Sequence, residues 1–259
     1  MNSDSLDELY ELALTLDAGV HKHRRIPKHI EVPLVSNKRH LSTDDQWRSL
    51  LWWIDTAQEH GKGGLRGVAL ALARIIQARA LEAHLFDVRD SVRDGISEKK
   101  LLWDTNVALT TGGATLATLP RRMRRGKALN MAETVVLPQT WMRIRLLKAL
   151  SNIGEGLPYG SWQQDDRNHF GVEWRPWPLL WVSNGNHSTM AGLVRAGGSF
   201  KPAETYDLRP VLQAVNTDGR TWYRADTGAE IGAVNSMPMA GIWVVGQRLI
   251  GLRKAGHPA

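Results

Sequence analysis

The chain has 259 residues, a formal net charge of +7 and no cysteine. A hydrophobic share of 42% beside 23% charged residues is globular composition, too apolar for a chain that stays disordered throughout. Without a thiol there is no disulfide framework, Cys-type zinc site, iron–sulfur cluster or thiolate nucleophile. The excess of 33 Lys+Arg over 26 Asp+Glu suits polyanionic partners, because phosphate contacts release counterions.

The opening segment MNSDSLDELYELALTLDAG carries Asp7, Glu8, Glu11 and Asp17, the opposite of the basic and then apolar order of a secretory signal. Its Leu6, Leu9, Tyr10, Leu12, Leu14 and Leu16 predict a short amphipathic helix. Residues 21–40 are basic, contain Pro27 and Pro33, and read as a loop or arm, either a solvated surface segment or a contact for nucleic acid. Ser42 and Thr43 before Asp44 and Asp45 then signal a helix start, with Trp47, Leu50, Leu51 and Ile54 on one face. Residues 61–64, GKGG, should break that helix, and a second runs from Leu65 to about Val92. GKGG lacks the Gly, four residues, Gly-Lys, Ser/Thr order of a nucleotide P-loop. Arg74, Arg79, Glu82 and His84 interrupt the most apolar stretch, so the expectation is a soluble, cytoplasmic protein with no membrane span.

Gly112-Gly113 and the run PRRMRRGK at 120–127 mark a seam, with a helical N-terminal region at 1–128 and a mixed domain at 129–259. Arg121, Arg122, Arg124 and Arg125 repel one another unless solvated or paired, which makes them candidate DNA-binding residues. Beyond the seam, ETVVLP at 133–138 reads as a strand and 140–154 as a helix, followed by a Gly- and Trp-rich loop at 154–177. PLLWVSNGNHSTMAGLVRAGG, 178–198, reads as a strand, a sharp turn and a short helix closed by glycines. The tail reads as short strands and turns, with VLQAVNTDG, TWYRADTG and AGIWVVGQRLIG as the candidate strands.

The turn Asn184-Gly185-Asn186-His187-Ser188-Thr189 is the most informative segment. Free N–H groups at a helix start carry positive partial charge and hold phosphate, Ser188 and Thr189 offer hydroxyl donors, and His187 offers a proton carrier. The same residue types also serve as ordinary caps. Asp165, Asp166, His169 and Glu173 lie just upstream and are either a solvated loop or carboxylates that converge on the turn to hold Mg²⁺. Trp141, Trp162, Trp174, Trp177 and Trp181, interleaved with Arg143, Arg145, Arg167 and Arg175, are either core or a single-strand groove; Trp181 belongs to the core. No His-Glu-x-x-His or Gly-x-Ser-x-Gly pattern occurs, and His21 with His23 is isolated, so no metal site is expected from motifs.

The segments VVLPQTWMRIRLLKALSNIGEG and WVSNGNHSTMAGLVRAGG resemble the ParB/sulfiredoxin superfamily, in which a strand ending in Pro precedes a helix, and a second strand enters a Gly-containing turn before an Ala-containing helix. The resemblance covers roughly residues 132–200. It implies an α+β protein whose C-terminal domain is ParB/sulfiredoxin-like. It makes Gly185, Asn186, Ser188 and Thr189 the nucleotide-phosphate turn, Arg143 or Arg145 the arginine that reaches the phosphates, and His187, Asn186, Asp166 and Glu173 the candidate catalytic residues. Where sulfiredoxin has its catalytic cysteine this chain has Asn186, which excludes sulfinic acid reduction. Where ParB proteins have Glu-Arg-Arg after the glycine, it has Asn186-His187-Ser188.

Within that superfamily the Trp-rich insert and basic charge resemble the plasmid fertility-inhibition proteins of the Osa and FiwA kind. The resemblance implies a protein that blocks conjugative DNA transfer through type IV secretion, with ATP or another nucleotide and Mg²⁺ as cofactors, ATPase and nuclease activity, and DNA and secretion components as partners. Two alternatives stay open: a non-catalytic protein that binds DNA or a secretion ATPase, and a ParB-like CTPase clamp.

Overall fold

In the computed structural model, residues 41–86 and 96–254 are described, and all the elements below belong to one unit of contacts beginning at Leu41. The readings of residues 3–16, of the basic arm at 21–40 and of helix beyond Phe86 lie outside the described residues.

Helix α1, Thr43–Glu59, starts where the sequence signals it: the Ser42 hydroxyl accepts a hydrogen bond from the Asp45 N–H (3.1 Å), and Asp44 and Asp45 complement the helix dipole. It buries Trp47, Ile54 and Ala57. Helix α1 ends before GKGG as expected, but helix α2, Gly61–Phe86, follows at once and takes in GKGG instead of starting at Leu65. Gly61 takes the left-handed φ of +67°, and the glycines after it form the first turn of α2. A Cβ on Gly64 would lie 2.3 Å from the Ala57 carbonyl oxygen, so this glycine lets the two helices meet closely. The buried stripe of α2 runs Leu65, Ala69, Leu72, Ala73, Ile76, Ala80. One turn, α3 (Glu98–Leu101), precedes a long irregular stretch.

The main sheet uses β1 (Arg121–Arg122), β3 (Val135–Pro138), β4 (Phe170–Arg175), β5 (Leu179–Asn184) and β7 (Glu204–Asp207), in the order β1-β7-β4-β5-β3. β3 runs parallel to β5 and β4 parallel to β7, whereas β4 and β5 form an antiparallel pair. β2 (Leu129–Asn130) pairs with β6 (Ser199–Phe200) beside it. Helix α4 (Arg143–Asn152) follows β3, and α5 (Asn186–Val194) follows β5, as the sequence predicts. β4 lies inside the segment expected to be a Trp-rich loop. Its pattern is masked because Glu173 is buried while Phe170 is exposed.

The tail differs from expectation. α6 (Arg209–Ala214) leads into a meander of β8 (Val215–Thr217), β9 (Thr221–Arg224) and β10 (Glu230–Ala233), so VLQAVNTDG and TWYRADTG each hold a strand, the former after a short helix. AGIWVVGQRLIG, however, lies within one long helix, α7 (Met237–Lys254). A short apolar run rich in Val and Ile between glycines looks like a buried strand; the cap decides otherwise, since the Ser236 hydroxyl accepts from the Met239 N–H. α7 packs along α2 and α1, and a Cβ on Gly241 would touch both Leu50 and Leu72 at 2.8 Å. Trp103, Trp222, Trp243 and Trp177 fill the interior beside it in edge-on contacts. Trp177 donates to the Ile242 carbonyl (2.7 Å) and Trp243 to that of Val215 (3.1 Å). The protein is thus α+β, and among the described residues no helix is long and apolar enough to cross a membrane.

Candidate functional site

Residues 184–188 form the corner between β5 and α5. Gly185 sits at the N-cap of α5 with φ +75°, which an L side chain rarely adopts, and a Cβ there would lie 2.2 Å from the His169 ring. Gly185 has no side chain with which to cap, so the first-turn amides of α5 are left to other partners.

The turn's side chains are fastened from both sides. Asn186 Oδ1 accepts from the Gln139 N–H (2.7 Å), and His187 Nε2 accepts from the Met142 N–H (3.1 Å) and, more weakly, from that of Trp141 (3.4 Å). These bonds hold the connection between β3 and α4 against the turn. Because Nε2 is an acceptor, the neutral ring carries its proton on Nδ1. Burial, aided by the nearby His84 and Arg145, pushes the His187 pKa down to about 4. The Trp141 ring packs edge-on against it, 4.5 Å between centroids.

Thr189 faces inward, and Ser188 is half-buried in the cleft wall. The Asp165 N–H donates to His169 Nδ1 (2.7 Å), so Nε2 carries the hydrogen and donates to Ser188 Oγ (2.6 Å), and Ser188 in turn donates to the Gly185 carbonyl (2.9 Å). His169 is therefore a donor to the hydroxyl and not a base that activates it. Burial depresses its pKa, outweighing Asp165, in keeping with a neutral ring. The Thr189 hydroxyl also donates to the Gly185 carbonyl (2.9 Å), and its side chain is fully buried.

Beside the turn lies a cleft of about 320 Å³. One wall is the turn, with Gly185, Asn186, His187 and Ser188; the other is α4, with Arg145 and Lys148. Trp141 and Tyr159 stand at its mouth, 41% and 74% exposed. Among the described residues no Asp or Glu lines it. Of the two arginines expected to reach phosphate, Arg145 lines the cleft and Arg143 does not.

The other expected site residues lie apart. Asp166 is exposed and does not line the cleft. Glu173 is buried on β4 and lines a separate recess of about 270 Å³ with Arg66 and Arg175. There it pairs with Arg175 (2.9 Å) and accepts from the Thr205 hydroxyl (3.0 Å). Among the described residues no three His, Asp or Glu side chains gather to hold a metal ion. Of the five tryptophans between 141 and 181, Trp162, Trp174, Trp177 and Trp181 are core, and only Trp141 is exposed.

A model of a family of unknown function, DUF6710, matches residues 53–255. The chain belongs to this family. The DUF6710 match runs from within α1 to the end of α7, so it takes in both walls of the cleft and the arginine run alike. No curated protein and no solved structure matches the chain.

The arginine run forms the sheet edge. β1 pairs with β7, Arg122 meets Glu204 (3.0 Å), and Arg125 donates to the Pro202 carbonyl. Arg121 lies close enough to Asp207 to help lower its pKa, after the larger effect of Arg209. Much of the repulsion within the run is thus relieved by the neighbouring strand, and Arg124 alone of the four has no such contact among the described residues.

Of the cleft lining, the sequence reading names Arg145 and the turn from Asn184 to Ser188 but not Lys148, Tyr159 and Asn168. Lys148 was within reach, since it lies three residues after Arg145 on the same helical face. Tyr159 sits in an irregular loop and gave no periodic signal.

Proposed function

We propose that the chain binds a nucleotide through its phosphates in the cleft between α4 and the β5–α5 turn, as its resemblance to the ParB/sulfiredoxin-like superfamily implies. The observation that carries this reading is the meeting of the α5 N-terminal amides with Arg145 and Lys148 across one cleft lined by no described carboxylate. Phosphate oxygens would accept from the amides while the guanidinium and ammonium groups neutralise them. The exposed rings of Trp141 and Tyr159 offer surfaces on which a base stacks.

The same residues favour binding over cleavage. His187 is neutral near pH 7 and its Nε2 lone pair is occupied, so it acts as a positioning residue that holds α4 in place. Asp166 and Glu173, the carboxylates that Mg²⁺ would need, are not in the cleft lining. Nucleotide binding without hydrolysis is therefore the reading that leads.

Titration of the full chain with ATP and CTP, with and without Mg²⁺ and DNA, tests the proposal. Arg145→Ala/Lys148→Ala should weaken binding by about tenfold or more. Undiminished affinity in that variant, or no binding of either nucleotide by the parent chain, rejects it. Mg²⁺-dependent turnover lost in His187→Ala at unchanged affinity would make the turn a hydrolytic site instead.

The biological setting implied by the resemblance, inhibition of conjugative DNA transfer, belongs to the same proposal. What supports it is the net charge of +7 and the basic sheet edge. Expression in plasmid donors should lower transfer frequency, and unchanged transfer across several secretion systems would remove this setting.

A further inference from the structure

Resting on the nucleotide reading of the cleft, we infer that its ligand is a nucleotide bearing a single phosphate monoester, held without a divalent cation. Two side chains supply the positive charge. Arg145 and Lys148 share one face of α4, both are exposed, and both line the cleft. Neither has a hydrogen-bond or ion-pair partner among the described residues. His187, which faces them from the turn, is neutral near pH 7 and adds no third charge.

Two cations set the kind of phosphate. A phosphate monoester carries about −1.5 to −2 near pH 7, which Arg145 and Lys148 match between them, whereas a cyclic or internal phosphodiester carries a single charge. The further phosphates of a triphosphate bring charge that no other cation in the lining meets. Mg²⁺ commonly meets it elsewhere, held beside the phosphates by one or two carboxylates, but among the described residues no Asp or Glu lines this cleft. A metal ion carried in on the phosphates would instead compete with Arg145 and Lys148 for the same oxygens. The volume of about 320 Å³ agrees, lying at the small end of the roughly 300–1,000 Å³ range of ligand sites. Trp141 and Tyr159 leave a ring for the base, and Asn184, which donates to Asn168 over a long 3.5 Å, leaves with it amide groups for the ribose or base edge.

Calorimetric titration of the full chain with AMP and CMP, their triphosphates and their cyclic monophosphates, each with and without Mg²⁺, tests this. The better monophosphate should bind at one per chain and about fivefold or more tightly than its cyclic ester. Its triphosphate should bind too, but no more tightly, and Mg²⁺ should strengthen neither. Lys148→Gln, an exposed change that leaves one cation, should weaken the monophosphate by about tenfold and the cyclic ester by less, so that the preference narrows. A 5′-phosphorylated trinucleotide that binds more tightly than the monophosphate would identify a strand end as the source of the phosphate; weaker binding identifies the free nucleotide. The inference is overturned, with the nucleotide reading left standing, if the triphosphate binds more tightly than the monophosphate, if Mg²⁺ strengthens binding, if the cyclic ester binds equally well, or if Lys148→Gln leaves the preference intact. If neither monophosphates nor triphosphates bind, the nucleotide reading fails and the inference falls with it.

Discussion

His187 links the stability of the fold to pH in a way that can be measured at one residue. Its neutral ring accepts the Met142 N–H, and its pKa falls from 6.5 to about 4 in the folded chain. Between those values the unfolded chain binds the proton and the folded chain does not. The contribution is therefore fully present above about pH 6.5 and is lost as pH falls toward about 4. That interval corresponds to at most about 3 kcal/mol, and partial solvent access at the cleft reduces it to about 2 kcal/mol. His187→Gln keeps an acceptor in roughly the place of Nε2 and cannot take up the proton. Urea unfolding of both proteins at pH 7 and pH 4.5 should show the parent losing about 1–2 kcal/mol more than the Gln variant. Equal losses in the two would refute the neutral, bond-accepting ring.

Other substitutions test the remaining geometry. Gly185→Ala should cost roughly 2–4 kcal/mol in chemical denaturation, from the left-handed φ and the overlap with His169; a loss below about 1 kcal/mol would show that the corner can relax. Gly64→Ala reverses the sign that helix propensity gives: propensity alone favours Ala by about 1 kcal/mol, yet the contact with the Ala57 carbonyl should leave a net loss, read as a lower thermal midpoint. His187→Ala at pH 7 strips the Met142 N–H of its acceptor and should cost about 1–3 kcal/mol, with substantial recovery in His187→Gln. In DNA retention assays at low salt Arg124→Ala should weaken binding more than Arg122→Ala, because Arg122 already faces Glu204; the opposite order would argue against a DNA contact at this edge.

The strand and helix on each side of the turn were legible because each carries its own punctuation: Pro138 ends β3, Gly185 makes the corner, and Gly197-Gly198 follow α5. What sequence could not supply was partnership across the chain. The β3–β5 and β4–β7 pairings join segments that periodicity treats separately, and β4 escaped notice because Glu173 is buried through Arg175 and Thr205. The same holds for the carboxylates. Asp165 and Asp166 precede the turn by two strands in sequence, and of the two only the Asp165 backbone reaches it, through His169. Helix α7 was misread because burial on several sides removes the polar face from which a helix is usually recognised.

The pairing of α2 with α7 has a consequence for how the chain assembles. These helices come from distant parts of the sequence, and the Leu65–Ala80 stripe finds its main cover only once α7 exists. During synthesis α1 and α2 leave the ribosome long before α7, with that stripe exposed to whatever else is near. The corner at Gly61 lets α1 fold back on α2 locally, which shields part of the stripe early. Completion of the core is thus a late, non-local event, and chains halted before α7 are the ones most in need of chaperone capture.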